Sequence, residues 1–162
     1  MTRPDRQPDD RDVVSFPSVE WFRRLAALMN ASRARQEQLG YVDCIAQFTV
    51  VDGAPDHTAW SVQVTFEEFA VVDVREVRAP AAERADFILE APLLTWREMI
   101  ENIAATGGRP DLDHSLNRLS HMGSPIALRS SDPLRRDLYF RYNQSLQEFV
   151  NASGSFQTAF VG

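Results

Sequence analysis

The residues best suited to chemistry in this 162-residue chain are its three histidines. His57 stands beside Asp56 in a stretch rich in turn formers, and a carboxylate-oriented imidazole could act as a general base. Solvated residues of a hairpin loop would look the same, so this pair alone does not indicate catalysis. His114 and His121 share one face of a predicted helix but stand about 10.5 Å apart, because two turns separate them. One metal ion cannot bind both, and we predict no metal site.

The single cysteine, Cys44, could act as a nucleophile only as a thiolate. Its sequence neighbours are Asp43 and Ile45, so no adjacent cation stabilises that form. A lone cysteine excludes an internal disulfide and a thiolate-rich zinc cluster, and it fits a reducing compartment such as the cytoplasm. The chain also lacks the G-x-S-x-G, G-x-G-x-x-G, P-loop and H-E-x-x-H motifs. We therefore assign no catalytic residue and no cofactor from the sequence.

The charge balance excludes further functions. The chain has 23 acidic residues against 17 basic ones, a net charge of −6, and every basic residue is arginine. Without lysine, neither Schiff-base chemistry nor a P-loop is available. The arginines are not gathered into a basic stripe, so nucleic acid is not an expected partner. Use of arginine alone is also what a GC-rich genome produces.

Composition indicates one globular domain. Apolar residues make up 44% and charged residues 25% of the chain, close to the usual globular mixture. No apolar run approaches the ~18 to 20 residues that span a bilayer, and the first residues are charged where a signal peptide is apolar. We therefore expect a cytoplasmic protein without a membrane span.

The elements that must position any site begin after a charged segment. Residues 1–14 are expected to form a disordered leader, with order starting near Ser15. Apolar residues then recur at helical spacing from Val19, after a Ser18 cap, and the predicted long helix stops at Gly40. Alternation of apolar and polar residues next predicts four strands, at residues 44–51, 59–66, 69–77 and 86–91.

The second half of the chain is predicted to be mainly helical. Thr95 and Glu98 form a capping box in front of an amphipathic stretch, which predicts a helix. Asp132 followed by Pro133 predicts the start of a last helix, which ends near residue 151. Between these helices we predict a short helix and a fifth strand, at residues 112–122 and 125–129.

This order of elements predicts an α+β fold with a single five-stranded sheet, mixed but mostly antiparallel, and helices packed on one face. At the segments ADFILEAPLLTWREMIENI and MGSPIALRSSDPLRRDL the chain resembles the sterol carrier protein 2 family. The family pattern falls on Gly123, Ile126, Leu128, Asp132 and Pro133. The resemblance covers about residues 16–150, and we assign 15–151 to such a domain. The chain departs from the family pattern at two positions. Ser124 stands where the family usually has a lysine, and Ser131 stands where the family has a glycine.

The resemblance implies that an apolar ligand, such as a sterol, fatty acid or fatty acyl thioester, is held in a tunnel between sheet and helices. The ten Phe, three Trp, three Tyr and four Met residues provide side chains of the kind that line such sites. Close packing of the same side chains into an ordinary core is the structural alternative. The candidate ligand-binding residues are Phe48, Trp60, Phe87, Trp96, Met99, Ile103, Leu116, Leu119, Met122, Phe149, Phe156 and Phe160.

Polar residues of the last helix could anchor a ligand head group if they face the cavity. These are Arg135, Arg136, Tyr139, Arg141 and Asn143. More often such residues form the solvated side of a helix. The tail, residues 152–162, carries Phe156 and Phe160, and we predict either a lid over the cavity or a surface that packs on a homodimer partner.

Two other functions remain open at this stage. A cofactor-independent isomerase, cyclase or hydrolase would act on a large apolar substrate in the same cavity. It needs a buried ionisable group, for example Asp73, Glu90 or a histidine. An interaction domain without a ligand predicts a filled core instead.

Overall fold

The computed structural model describes residues 12–78, 84–121 and 124–161, which form seven strands and five α-helices. The strands are β1 (Val13–Phe16), β2 (Cys44–Val50), β3 (Trp60–Glu67), β4 (Ala70–Val77), β5 (Phe87–Ala91), β6 (Ala127–Arg129) and β7 (Gln157–Phe160). The helices are α1 (Val19–Ala31), α2 (Arg33–Leu39), α3 (Leu93–Ala105), α4 (Leu116–Leu119) and α5 (Pro133–Asn151). Short 3-10 segments precede α4 and follow α5, at Leu112–His114 and Ala152–Ser155.

Five of the strands form one mixed sheet in the order β4-β3-β2-β5-β6. The pairs β2/β3, β3/β4 and β5/β6 are antiparallel, whereas β2 and β5 are parallel. The parallel pair has an explanation in the chain path, because β5 returns to the free side of β2 after the β2-β3-β4 meander. The predicted α+β fold with a mostly antiparallel five-stranded sheet is confirmed.

The two faces of the sheet differ in polarity because successive side chains of a strand point in opposite directions. We call the face covered by helices the inner face. On β2, β3 and β5 every residue of the inner face is apolar and buried: Cys44, Ala46, Phe48, Val50, Trp60, Val62, Val64, Phe66, Phe87, Leu89 and Ala91. On the opposite face Gln47, Thr49 and Gln63 are also buried, and side-chain hydrogen bonds of 3.0 and 3.1 Å join them.

The first helix begins as predicted, because the Ser18 hydroxyl accepts a hydrogen bond from the backbone N–H of Trp21. The prediction that one helix reaches Gly40 is wrong, since the chain bends at Ser32 between α1 and α2. Asn30 explains the bend: its side-chain amide exchanges two hydrogen bonds with the backbone of Val71, at 2.9 and 2.8 Å. These bonds fix the end of α1 to β4, and the chain restarts as α2.

Helix α3 begins two residues before the predicted cap at Thr95. No side chain within the helix caps its N-terminus, so the predicted capping box with Glu98 is wrong. The backbone N–H of Leu93 instead donates to Oδ1 of Asp52, 2.7 Å away, in the loop after β2. The capping acceptor therefore comes from a residue 41 positions earlier in the chain.

The two ends of the described chain pair with each other. Strands β1 and β7 form a parallel two-stranded sheet from Val13↔Gln157 to Phe16↔Phe160. Val13 and Val14, which the sequence pattern assigned to the leader, thus belong to a strand; the rest of that segment up to residue 11 lies outside the described residues. The tail forms the 3-10 segment and β7.

The last helix follows its prediction at both ends. Asp132 Oδ1 accepts from the backbone N–H of Leu134 at 2.8 Å, and Pro133 occupies the first helical position. The helix runs to Asn151, and its buried side chains, among them Leu146 and Phe149, face the sheet. This 19-residue helix is the longest element against the inner face.

Candidate functional site

The space between sheet and helices is filled by a cluster of aromatic rings around Phe22 of α1. The ring centroid of Phe22 lies 5.2 Å from that of Phe48, 5.8 Å from that of Trp60 and 6.4 Å from that of Phe149. Phe48 in turn lies 6.1 Å from both Trp96 and Phe149. Helices α1, α3 and α5 therefore meet the inner face through one continuous set of rings, at separations typical of favourable aromatic pairs.

Helices α3 and α4 contribute the remaining part of this layer. Met99 and Ile103 of α3 and Leu116 of α4 are at most 1% exposed. The indole N–H of Trp96 donates to the backbone carbonyl of Thr49 at 3.1 Å, a buried bond that fixes α3 to β2. Leu119 of α4 is only partly buried. Over this part of the sheet, α3 is thus fixed to β2 by a buried hydrogen bond, whereas α4 consists of a single turn.

The predicted ligand-binding residues that the structure describes belong to this one layer. Nine of them are buried in the apolar core: Phe48, Trp60, Phe87, Trp96, Met99, Ile103, Leu116, Phe149 and Phe156. Leu119 and Phe160 are partly buried against it, and Met122 lies outside the described residues. The sequence pattern did not single out Phe22 and Phe66 as candidates, although Phe22 falls in the apolar stripe of α1 and Phe66 alternates inward on β3.

Three surface grooves of the described residues lie elsewhere. One of about 870 Å³ runs over the polar face of the sheet beneath the loop after β2. One of about 290 Å³ lies between the ends of α1 and α5, and one of about 530 Å³ lies beside β6. Among the candidate ligand-binding residues only Trp60 lines any of these three. Apart from Trp60, these three grooves therefore do not reach the candidate residues of the apolar layer.

One polar pair borders the apolar layer. Tyr139 of α5 is fully buried, and its ring centroid lies 5.6 Å from that of Phe87 on the inner face. Its hydroxyl is 2.6 Å from Oγ of Ser120, which directly follows α4. Burial raises the pKa of Tyr139, and the hydrogen bond with Ser120 opposes that rise in part. The phenol is therefore neutral at physiological pH.

The other proposed head-group anchors lie away from the interior. Arg135 binds Asp86, with Nε and Oδ1 3.0 Å apart, at the start of β5. Arg136 and Arg141 are exposed, and their guanidinium groups lie 5.9 and 5.7 Å from the ring centroids of Phe140 and Tyr142. Of the proposed anchors on α5, Tyr139 alone among the described residues is fully buried beside the inner face. The half-buried Asn143 follows Tyr142 on the same helix.

The ionisable residues considered for catalysis are distributed over the surface. His57 and His121 are exposed, and His114 pairs through Nδ1 with Oδ1 of Asp111 at 2.6 Å. This hydrogen bond is the main cause that lowers the pKa of Asp111. Asp73 and Glu90 pair with arginines at 2.6 and 3.4 Å. None of these groups is buried against the inner face, so nothing in their placement favours the enzyme alternative.

The buried thiol of Cys44 is not activated as a nucleophile. Burial, helped by the nearby carboxylates of Asp86 and Asp43, raises its pKa far above the ordinary value of 9.0. A thiol that stays protonated is a poor nucleophile. Within the described residues, no three His, Cys, Asp or Glu side chains come together as a metal site, and no helix is long and apolar enough to cross a membrane.

The sheet, the helices on one of its faces and the apolar layer between them define a two-layer α+β fold. The particular fold is the sterol carrier protein 2-like fold, as two solved structures show. One is a conserved hypothetical protein from Thermus thermophilus, described as a candidate sterol carrier protein, with a TM-score of 0.59 and 19% identity over 88% of this chain and 90% of that chain.

The other is a crystal structure of sterol carrier protein 2, with a TM-score of 0.58 and 20% identity over 85% of this chain and 95% of that chain. No protein-family model and no curated protein matches the sequence. At these identities the likeness establishes the fold and leaves the ligand to be argued from this chain's own residues.

Proposed function

We propose that this protein binds and carries a bulky apolar small molecule between the inner face of its sheet and helices α3, α4 and α5. Sterols, fatty acids and acyl thioesters are the ligand classes that the fold suggests. The driving force is the removal of apolar ligand surface from water, worth about 25 cal/mol per Å². Its single buried cysteine fits the cytoplasmic location that we propose for the carrier.

The observation that carries this proposal is the uniform chemistry of the inner face. On β2, β3 and β5 that face holds no charged side chain, and its hydrogen-bonding groups are the protonated thiol of Cys44 and the indole N–H of Trp60. The opposite face of the same strands is mostly polar, with glutamine, threonine and serine on β2 and β3 and Glu90 on β5, beside Ile45 and Ile88. A ligand that separates sheet from helices would therefore leave almost no polar group of the inner face unpaired, and such a separation costs mainly packing contacts.

Helix α4 is the element that we propose to move. It has one turn, and isolated helices of that length are unstable in water. Its polar ties to α5 are a hydrogen bond from the backbone N–H of Leu116 to Oε1 of Gln147, 2.8 Å long, and the contact between Ser120 and Tyr139. Elements with few ties open locally at a low free-energy cost. Outward movement of α4 would uncover Leu116 and the ring of Tyr139 beneath it.

The test is whether an apolar molecule travels with the protein. The chain would be purified without detergent, examined by native mass spectrometry and extracted with organic solvent. We expect a bound lipid in the native spectrum that the extract identifies, and a rise in melting temperature when that lipid is added back. A purified protein that contains no lipid, and whose melting temperature does not change when sterols, fatty acids or acyl thioesters are added, would contradict the proposal.

The close packing of the interior favours a second candidate, an interaction domain that carries no ligand. Among the described residues, six large hydrophobic side chains are more than half exposed: Tyr41, Val72, Leu94, Leu112, Leu134 and Phe140. Exposed apolar side chains of this size can form part of a protein interface. Two results together would support this candidate over the carrier. The purified protein would contain no lipid, and it would form a stable complex with another protein that Phe140→Ala weakens.

A further inference from the structure

We propose that the interior site selects neutral lipids over carboxylates, with the hydroxyls of Tyr139 and Ser120 as its head-group anchor. A neutral head group here means an alcohol, a ketone or an ester. This inference rests on the proposed carrier function and specifies the ligand of that same site. It follows from the position of the hydroxyl pair, from its hydrogen-bonding capacity and from the charges around it.

The position of the pair suits a head-group site. Tyr139 lies where the inner face, α4 and α5 meet, with its ring against Phe87 and its hydroxyl against Ser120. Ser120 directly follows α4, so outward movement of that helix opens the space beside the hydroxyl pair. A ligand in the opened space would then meet the pair as a polar group at the border of the apolar layer. A ligand that hydrogen-bonds to the pair is preferred over one that leaves its remaining donor or acceptor unpaired.

The hydroxyl pair can adapt to either kind of neutral head group. Two hydroxyls share one hydrogen bond, and either oxygen can be the donor. When Ser120 donates, the proton of Tyr139 is available for the oxygen of a ketone or ester. When Tyr139 donates, Ser120 can direct its own proton to the carbonyl of Asn117, 3.4 Å away, and the phenol oxygen accepts from an alcohol. Burial holds the phenol in its neutral form, which keeps both arrangements available.

The charges around the pair disfavour a carboxylate. The buried polar side chains of the described residues are all uncharged: Gln36, Gln47, Thr49, Gln63, Ser145 and Ser153, besides the two tyrosines Tyr139 and Tyr142. The cations that flank the pair in sequence, Arg118, His121 and Arg136, are exposed. Arg135 is held by Asp86 and by backbone carbonyls of residues 84 and 85. A carboxylate carried into this layer would lose its hydration without meeting a cation. An alcohol or ester of the same chain length loses much less.

Three probes of equal chain length test the preference: hexadecanol, methyl hexadecanoate and hexadecanoate, each used to displace pyrene from the full chain at pH 8. Pyrene reports on the apolar layer because it has no hydrogen-bonding atom, and at pH 8 the carboxylate is ionised, far above an ordinary carboxyl pKa of about 4.3. We expect the alcohol and the ester to displace pyrene at concentrations at least tenfold lower than the carboxylate. Equal or tighter binding of the carboxylate would overturn the inference while leaving the carrier function intact. If pyrene and all three lipids fail to bind, the carrier function itself is wrong.

Tyr139→Phe tests the anchor, because it removes the hydroxyl and keeps the ring. We expect a loss of about three- to tenfold in affinity for hexadecanol, the effect of one hydrogen bond, with pyrene affinity unchanged. Tyr41→Phe is the matched control, since Tyr41 is 57% exposed and its ring contacts that of Phe69, with centroids 6.1 Å apart. Ser120→Ala gives a second route if Tyr139→Phe fails to fold. An equal loss for pyrene and hexadecanol would show a merely structural role and overturn the anchor.

Discussion

The indole N–H of Trp21 donates a hydrogen bond to the hydroxyl of Thr158, 3.0 Å away, and so ties the first helix to the last strand. Trp21 is 1% exposed and packs edge to face on Phe16, with ring centroids 4.8 Å apart. Phe156 closes the same corner, 6.2 Å from Trp21. The tail is thus part of the packed structure at the end of the sheet where α1 begins.

Thr158→Val should therefore destabilise the fold. The substitution keeps the shape of the side chain but leaves the indole N–H without its acceptor, which costs about 1 to 3 kcal/mol in a buried place. Chemical denaturation followed by tryptophan fluorescence measures the free energy of unfolding. Thr158→Ser retains the hydroxyl and should lose clearly less. A loss in Thr158→Val no larger than that in Thr158→Ser would contradict the stabilising role of the hydrogen bond.

The start of α3 supports a second prediction about stability. Asp52 accepts the hydrogen bond from the backbone N–H of Leu93, while Thr95 lies inside the helix. Asp52→Ala should cost about 0.5 to 2 kcal/mol of unfolding free energy, the usual effect of a lost N-cap. Thr95→Ala should change it by less than about 0.5 kcal/mol, as at an ordinary helix position. The reverse order in urea denaturation would restore Thr95 as the cap.

This contrast shows which local features the sequence could and could not predict. Asp132 and Pro133 are adjacent and cap α5 on their own, so the pattern predicts the start of that helix correctly. At α3 the capping acceptor is Asp52, which lies in another loop of the chain. The capping box that the sequence contains, Thr95 with Glu98, is therefore not formed. Local signals predict a helix boundary well only where the capping groups are themselves local.

The edge pairing and the site illustrate the same limit at longer range. Strands β1 and β7 have four residues each, too short for a clear alternation, and their pairing joins the two ends of the chain. The described candidate ligand residues lie together in one layer, which apolar positions that point inward also form in an ordinary core. Periodicity cannot separate a ligand site from a filled core, because both require the same buried apolar side chains.

Cys44 leads to a prediction on alkaline pH. Its pKa is raised in the folded protein, so the folded state keeps the thiol proton after the unfolded chain has lost it. This contribution to stability is fully present below the unfolded pKa of about 9.0 and declines as the pH rises beyond it. The free energy of unfolding of the natural chain should therefore fall between about pH 9 and pH 11.

Cys44→Ala removes this titration and should flatten the alkaline side of the stability profile, even if the variant is less stable at pH 7. The raised pKa of Tyr139 adds a similar decline that starts near its ordinary value of 10.0, so the profile of the variant should not become level. Denaturation at half-unit pH steps measures both curves. Parallel curves for the two proteins between pH 8 and pH 10 would contradict a thiol that stays protonated in the folded state.

The thin cover at α4 gives the most direct test of the carrier proposal. Leu116 is 1% exposed, whereas Leu112, four residues earlier, is 89% exposed. Leu116→Ala should lower the free energy of unfolding by about 2 to 5 kcal/mol through lost burial and a residual cavity, and Leu112→Ala by less than about 0.5 kcal/mol.

An apolar cavity in this layer stays dry and accepts apolar guests. Leu116→Ala should therefore bind pyrene more tightly than the natural chain, and pyrene should restore part of the lost stability as its concentration rises. Leu112→Ala should match the natural chain in both measurements. If Leu116→Ala loses stability but pyrene neither binds it more tightly nor restores that loss, the space under α4 does not accept a guest, and the carrier site must be sought elsewhere.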